Sequence, residues 1–183
     1  MKIRFFISFI LFGVLFFGCN TSDPRKTRAL QILKEIDGIA GKSLEEQSSA
    51  GIMQIIQRVN ENKKDFPATR SELKKDAILV QNWFANKIDE NRRVSYKYEE
   101  LLGLGLAERE AECVRGVLKI NRLQDEQSAI VISQYDLFAD EKIVDKEMLE
   151  SQNARLGIRS NEISADLVEL EKIKKSGCKE EVK

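Results

Sequence analysis

The chain has 183 residues, 33% charged and 42% hydrophobic, with 30 basic and 30 acidic side chains, two prolines and no histidine. That length holds one domain, and the balanced charge removes any global electrostatic case for nucleic acid as a partner. Without imidazole there is no Ser-His-Asp or Cys-His catalysis, no HExxH zinc site and no histidine pH switch. So little proline also argues against a Pro-rich linker or a turn-rich β-sandwich.

Met1-Lys2-Ile3-Arg4 is a short basic start, and residues 5–17 are apolar apart from Ser8 and Gly13. An apolar run of about thirteen residues is too short to span a bilayer, which takes ~20 residues of helix. A basic start, a short apolar core and a small residue before a cut form the secretory signal pattern. Gly18-Cys19 closes the segment. In Phe16-Phe17-Gly18-Cys19 the chain resembles a bacterial lipoprotein precursor. That family favours Leu three residues before the cysteine and a small residue two before it; here both are Phe.

The resemblance covers residues 1–19 and implies cleavage between Gly18 and Cys19, then acylation of Cys19, palmitate being one such acyl group. The alternatives are an ordinary signal with an incidental cysteine, or an uncleaved anchor. Asn20, rather than Asp, follows the cysteine, which by the same resemblance favours the outer over the inner membrane. More than one acyl chain makes anchoring stable, at ~0.8 kcal/mol per buried methylene.

The expected organisation is a signal peptide at 1–18, a lipidated tether at 19–23, a helical domain at 24–178 and a frayed tail at 179–183. Asp23-Pro24 reads as an N-cap with proline at the first helical position. Ala29, Leu33, Ile36 and Ala40 recur at helical spacing, and Ser43 with Glu46 reads as a second start. Leu44, Ile52, Ile55, Ile56 and Val59 continue an apolar face until Asp65-Phe66-Pro67 breaks the helix. Thr69 and Glu72 form a further capping box. Leu73, Ala77, Val80, Phe84 and Ile88, then Val94, Tyr98 and Leu101 after a polar gap at Arg92-Arg93, predict a helix from about 70 to 102.

Gly103-Leu104-Gly105 reads as an interhelical turn. Ala107, Ala111, Val114 and Leu118 open the next segment, which a polar stretch at Asn121–Ser128 interrupts. Ile130-Val131-Ile132 is the one place where a short strand competes. Tyr135, Phe138, Ile143, Val144 and Leu149 carry the pattern on. Gly157 and Ser160 mark a bend or restart, and Ile163, Leu167, Leu170 and Ile173 form a last face before Gly177. Heptads do not hold register for a parallel coiled coil. The expected fold is all-α, an elongated antiparallel bundle of three to four long helices.

Candidate chemistry is sparse. With Cys19 assigned to lipid, Cys113 and Cys178 remain, and export permits a disulfide closing a loop of about 64 residues; the alternative is a buried free thiol at Cys113. Carboxylates abound at Glu99-Glu100, Glu108/Glu110/Glu112, Asp140-Glu141 and Glu180-Glu181, but nothing in the pattern holds two apart in a cleft. No nucleotide, metal or nucleophile-elbow motif occurs, and neither a cofactor nor a metal is expected. Phe84 lies in the apolar register; Trp83 and Tyr96 lie off it and are the candidate partner contacts.

The reading is a non-enzymatic, lipid-anchored envelope protein, held on a membrane by acyl chains and presenting helices to a protein partner. Alternatives are a surface-exposed host-binding lipoprotein, or a structural lipoprotein linking membrane to peptidoglycan. For the latter, Lys183 is similar to the terminal lysine of a small helical wall-attached lipoprotein family, although length and broken heptads differ.

Overall fold

The structure is a computed structural model that describes residues 23–46 and 49–177, with side chains described for 23–39 and 51–172. Every regular element among the described residues is helical: α1 (Pro24–Glu46), α2 (Ser49–Asn62), a 3-10 turn (Lys63–Asp65), α3 (Arg70–Leu102), α4 (Glu108–Asp136) and α5 (Lys146–Gly177). The sequence reading counts three to four helices. The described residues hold five, because the segment before Pro67 comprises both α1 and α2.

Local signals account for most of the boundaries. Asp23 caps α1, its Oδ1 accepting from the Arg25 N–H at 2.8 Å. The helix then runs through Ser43 to Glu46 rather than restarting there. Phe66, ahead of Pro67, is extended at φ −63°, ψ 136° and ends the 3-10 turn, as steric pressure from the proline ring requires. α3 begins and ends where the apolar register predicts, but Thr69 does not cap it. The Thr69 hydroxyl donates instead to the Asn62 carbonyl at 2.7 Å, tying the end of α2 to the start of α3. Gly105, at φ +73°, supplies the left-handed residue of the α3–α4 turn, a conformation that costs glycine little.

Two expected interruptions are absent. α4 passes through Asn121–Ser128 and Ile130-Val131-Ile132 as one helix. α5 passes through Gly157 and Ser160 without a break. A single glycine costs a helix only ~1 kcal/mol relative to alanine, and contacts with α4 follow this one: Arg159 Nε donates to Glu126 Oε1 at 2.8 Å, and Gln127 Nε2 to Ser164 Oγ at 2.9 Å.

Side-chain pairs set the direction of each neighbour. Asn91 Nδ2 donates to Asp125 Oδ1 at 3.1 Å, Asn121 Nδ2 to Ser95 Oγ at 3.1 Å, and Gln81 Nε2 to Asp136 Oδ1 at 2.6 Å, so α3 and α4 run antiparallel. Arg58 Nε donates to Asp76 Oδ2 at 2.6 Å, across α2 and α3. At the other end of α3, Arg28 and Lys97 both pair with Glu35 and with Glu100, Lys97–Glu35 at 2.6 Å, in a ring of four charges joining α1 to α3. α1 and α2 thus lie in succession along α3, both antiparallel to it.

The apolar core forms three clusters strung along α3. Val94, Tyr98 and Leu101 meet Ala29, Ile32, Leu33 and Ile36 of α1 and Val114, Val117 and Leu118 of α4. Val80 and Phe84 meet Ile52 of α2, with Val131 and Ile132 of α4 half-buried beside them. Leu73 and Ala77 meet Val59, Phe66, Phe138, Ile143 and Leu149. Between the first two clusters lies a polar layer: buried Glu90 pairs with Lys87 at 2.9 Å, and the Asn91–Asp125 and Asn121–Ser95 bonds cross from α3 to α4. Burial pushes the Asp125 carboxyl up, and the bond from Asn91 opposes that shift.

A β-carbon added at Gly157 meets nothing within 4 Å, so Gly157→Ala is expected to raise unfolding free energy by ~0.5–1 kcal/mol. Gly105→Ala is expected to lower it, because an alanine β-carbon is strained at positive φ; urea unfolding of both variants measures this.

The charge ring makes a pH prediction. Hydrogen bonding from Lys97 lowers the Glu35 carboxyl, and hydrogen bonding from Arg28 lowers Glu100. Because both folded-state values lie below the ordinary glutamate value, the ring's contribution is full above that value. It is lost as pH falls through the depressed folded-state values. The fall in Tm from pH 7 to pH 3 is therefore expected to be smaller in Glu100→Gln than in the parent; an equal fall would contradict the ring's role.

Candidate functional site

The described surface is largely solvated helix, with a shallow cleft where α2, α4 and α5 converge. Val59 and Asn60 come from the last turn of α2, and Lys63 from the 3-10 turn after it. Gln134 and Tyr135 come from the end of α4 and Phe138 from the turn beyond, while Leu149, Glu150 and Asn153 come from the first turns of α5. Its volume is about 160 Å³, similar to the ~150 Å³ cavity that admits a benzene ring. It can therefore take one aromatic or branched side chain.

The floor of the cleft is held from below. Tyr135 and Phe138 meet edge to face, with ring centroids 5.9 Å apart. Burial, with a smaller effect of the Asp76 charge, pushes the Tyr135 phenol up to about 12, so the hydroxyl stays protonated and can donate at neutral pH. The α4–α5 connection is tied down beside it: Asp145 Oδ1 accepts from the Met148 N–H at 2.8 Å, and the Arg70 guanidinium donates to the Ile143 carbonyl and lies 4.8 Å from the Phe66 ring centroid. The rim carries three amides (Asn60, Gln134 and Asn153), one ammonium (Lys63) and one carboxylate (Glu150). Amides both donate and accept, which suits a peptide backbone. With one carboxylate, the cleft has no pair for two-carboxylate acid–base chemistry.

The residues singled out from the sequence do not gather there. Phe84 is buried as its register requires. Trp83 is half-buried, edge-on to Phe84 at 4.9 Å between centroids, with Lys87 Nζ 5.6 Å from its ring centroid. Tyr96 is 67% exposed. At ~100° per residue, thirteen residues place Trp83 and Tyr96 about 140° apart around α3, so they do not share one patch. Cys113, near the start of α4, is disulfide-bonded rather than a free thiol. Gly18, Cys19, Cys178 and the 1–18 and 179–183 segments lie outside the described residues.

Among the described residues no cluster of three His, Cys, Asp or Glu side chains could hold a metal ion. No described helix is long and apolar enough to cross a membrane. No family model matches the chain, and neither a curated protein nor a solved structure is significantly similar to it.

The cleft was missed from sequence because its residues come from three helices whose register had to be known first. The one legible trace was the apolar run Tyr135, Phe138, Ile143, Val144 and Leu149, which read as continued core, although Val144 is exposed. Leu149 is 4% exposed in the cluster below the cleft. Leu149→Ala is expected to cost ~2–5 kcal/mol, whereas Glu150→Gln on the exposed rim is expected to stay within ~0.5 kcal/mol of the parent. Thermal unfolding compares the two.

Proposed function

We propose that this protein is a lipid-anchored bacterial envelope protein whose elongated antiparallel helical body presents its distal tip to a protein partner, without catalysis. The anchor rests on the signal pattern and on Gly18-Cys19. The geometry that carries the proposal is the separation of the two ends. Arg28 of α1 meets Glu100 near the end of α3, so Asp23 lies beside the α3–α4 turn. The cleft lies at the opposite end, where α2 finishes and α5 begins. α3 has 33 residues and spans ~50 Å at 1.5 Å per residue. Chain leaving Asp23 for the membrane would therefore point the cleft away from it.

The same geometry weighs against a membrane-to-wall linkage through Lys183. Such a link needs attachment points at opposite ends of the body. The first turns of α5 meet the end of α4 in the cleft and its middle meets Glu126 and Gln127, so α5 runs antiparallel to α4, and its 32 residues would carry its end back toward the Asp23 end. Six further residues reach at most ~20 Å, well short of the ~50 Å body.

In the cleft, the apolar floor would hold one bulky partner side chain while the amide rim meets the adjoining backbone. Intact-mass analysis of membrane-extracted protein tests the anchor: a chain beginning at Cys19 with added acyl mass is expected, and the mass and membrane retention are expected to be lost in Cys19→Ala. An unacylated chain would refute the anchor. For the tip, Asn153→Trp is expected to fill the cleft and abolish recovery of a partner cross-linked in cells, while Tyr96→Ala leaves recovery intact. The reverse pattern would move the partner site to the exposed flank of α3.

A further inference from the structure

α5 carries apolar residues on two opposite sides, and the bundle covers one of them. Leu149, Leu156, Ile163, Leu167 and Leu170 recur at helical spacing and are buried or half-buried toward the bundle. On the far side run Ser151, Ala154, Ile158, Asn161, Ala165 and Val168, at intervals of 3, 4, 3, 4 and 3 residues. At ~100° per residue the two sets lie about 170° apart around the helix. All six residues of the outer set are exposed, Ile158 by 64% and Val168 by 54%. α5 packs on α4 and on the 3-10 turn, so no described element covers this side.

We infer that the outer stripe of α5 is the interface between two copies of this chain, paired side by side and parallel. Alternating intervals of three and four average 3.5 residues, the seam spacing of two helices that wrap on one another. An occupant must answer two features of this seam. Asn161, near its centre, needs a hydrogen-bonding group opposite once water is excluded, and the charged flanks need opposite charges. A second copy in parallel supplies both. Asn161 then faces the partner's Asn161, and amides both donate and accept. Ile158 and Val168 each meet their own counterpart. Glu150 and Arg155 stand on opposite flanks of the stripe, five residues apart, so each Glu150 lies beside the partner's Arg155 and the pair is made twice. The next flank pairings set Gly157 against the partner's Glu162, and Ser164 against the partner's Glu169, so no like charges meet. Glu147 and Lys172, the next positions of the series, are charged and close the stripe at either end.

An antiparallel pair fails on the same features. With the stripes fully overlapped, each Asn161 would face the partner's Ile158, which leaves two amides buried without a bond. Parallel pairing also keeps the Asp23 ends of both copies at one pole, as two chains held by one leaflet require. The inference itself needs neither the anchor nor the cleft. Three of the six seam residues are Ser or Ala, and the stripe spans only ~27 Å of helix. The pair therefore belongs with weak, transient interfaces and is best read where the chain is made.

The test is oxidative cross-linking in cells that produce the full-length chain. Ala154→Cys and Ala165→Cys each place a thiol in the seam. Each is expected to give a band of doubled mass on a non-reducing gel, lost on reduction. The parent, and Ala129→Cys on the exposed side of α4, are expected to run at single mass. Adding Ile158→Asp to Ala154→Cys is expected to abolish the link. Because Ile158 is exposed, that variant is expected to keep the parent's Tm. No link from either seam cysteine, a link that survives Ile158→Asp, or an equal link from Ala129→Cys would overturn the interface. A link that forms only when Ala154→Cys and Ala165→Cys are produced together would overturn the parallel pairing, because full antiparallel overlap sets those two positions against each other.

Discussion

The apolar stripe along α3 is the constraint on which the rest of the molecule depends. Its residues enter all three core clusters: Val94, Tyr98 and Leu101 in the first, Val80 and Phe84 in the second, Leu73 and Ala77 in the third. Each cluster is closed by a different pairing of the surrounding helices. Leu73 and Leu101, both fully buried, show how far the stripe is covered at either end. Hydrophobic burial is non-directional, however, and a stripe of this kind would tolerate sliding. Polar contacts are what stop it.

The polar layer midway along α3 and α4 supplies that stop. A buried polar group is costly unless bonded, and here the donors and acceptors match only in one register: Asn91 with Asp125, and Asn121 with Ser95. A one-turn slip of α4 would part both pairs while leaving Glu90 buried near Lys87 on the same helix. The charge ring of Arg28, Glu35, Lys97 and Glu100 does the same for α1, and Arg58 with Asp76 for α2. Burial thus sets the strength of the fold, and these pairs set its alignment. That alignment separates the Asp23 end from the cleft.

Much of the fold was legible wherever one helix face decides the outcome. The spacing from Leu73 to Leu101 yields α3 at its observed bounds, and Gly103-Leu104-Gly105 is the turn it resembles, with Gly105 at positive φ. The misses have a common cause. The polar stretches at Arg92-Arg93 and Asn121–Ser128 read as two separate interruptions, yet they are the neighbourhoods of two halves of one layer, visible only after α3 and α4 are paired. Gly157 reads as a break because propensity is local, while the bonds that hold α5 straight come from Glu126 and Gln127 of α4. Thr69 is a good cap by type, but its hydroxyl finds the Asn62 carbonyl. The cleft and the bonded state of Cys113 both depend on tertiary register, which periodicity along one chain does not carry.

The proposed function follows from that register: Asp23 lies beside the α3–α4 turn, and the cleft lies where α2 finishes and α5 begins. Lysines mark the two poles, with Lys26 and Lys172 near the first and Lys63, Lys142 and Lys146 near the second. Mapping intramolecular links formed by a short lysine-reactive cross-linker on the monomeric full-length protein tests the arrangement most directly. Links within the distal group are expected, with none from Lys26 or Lys172 to Lys142 or Lys146. A link between Lys26 and Lys142 would place the tether beside the cleft and contradict the account.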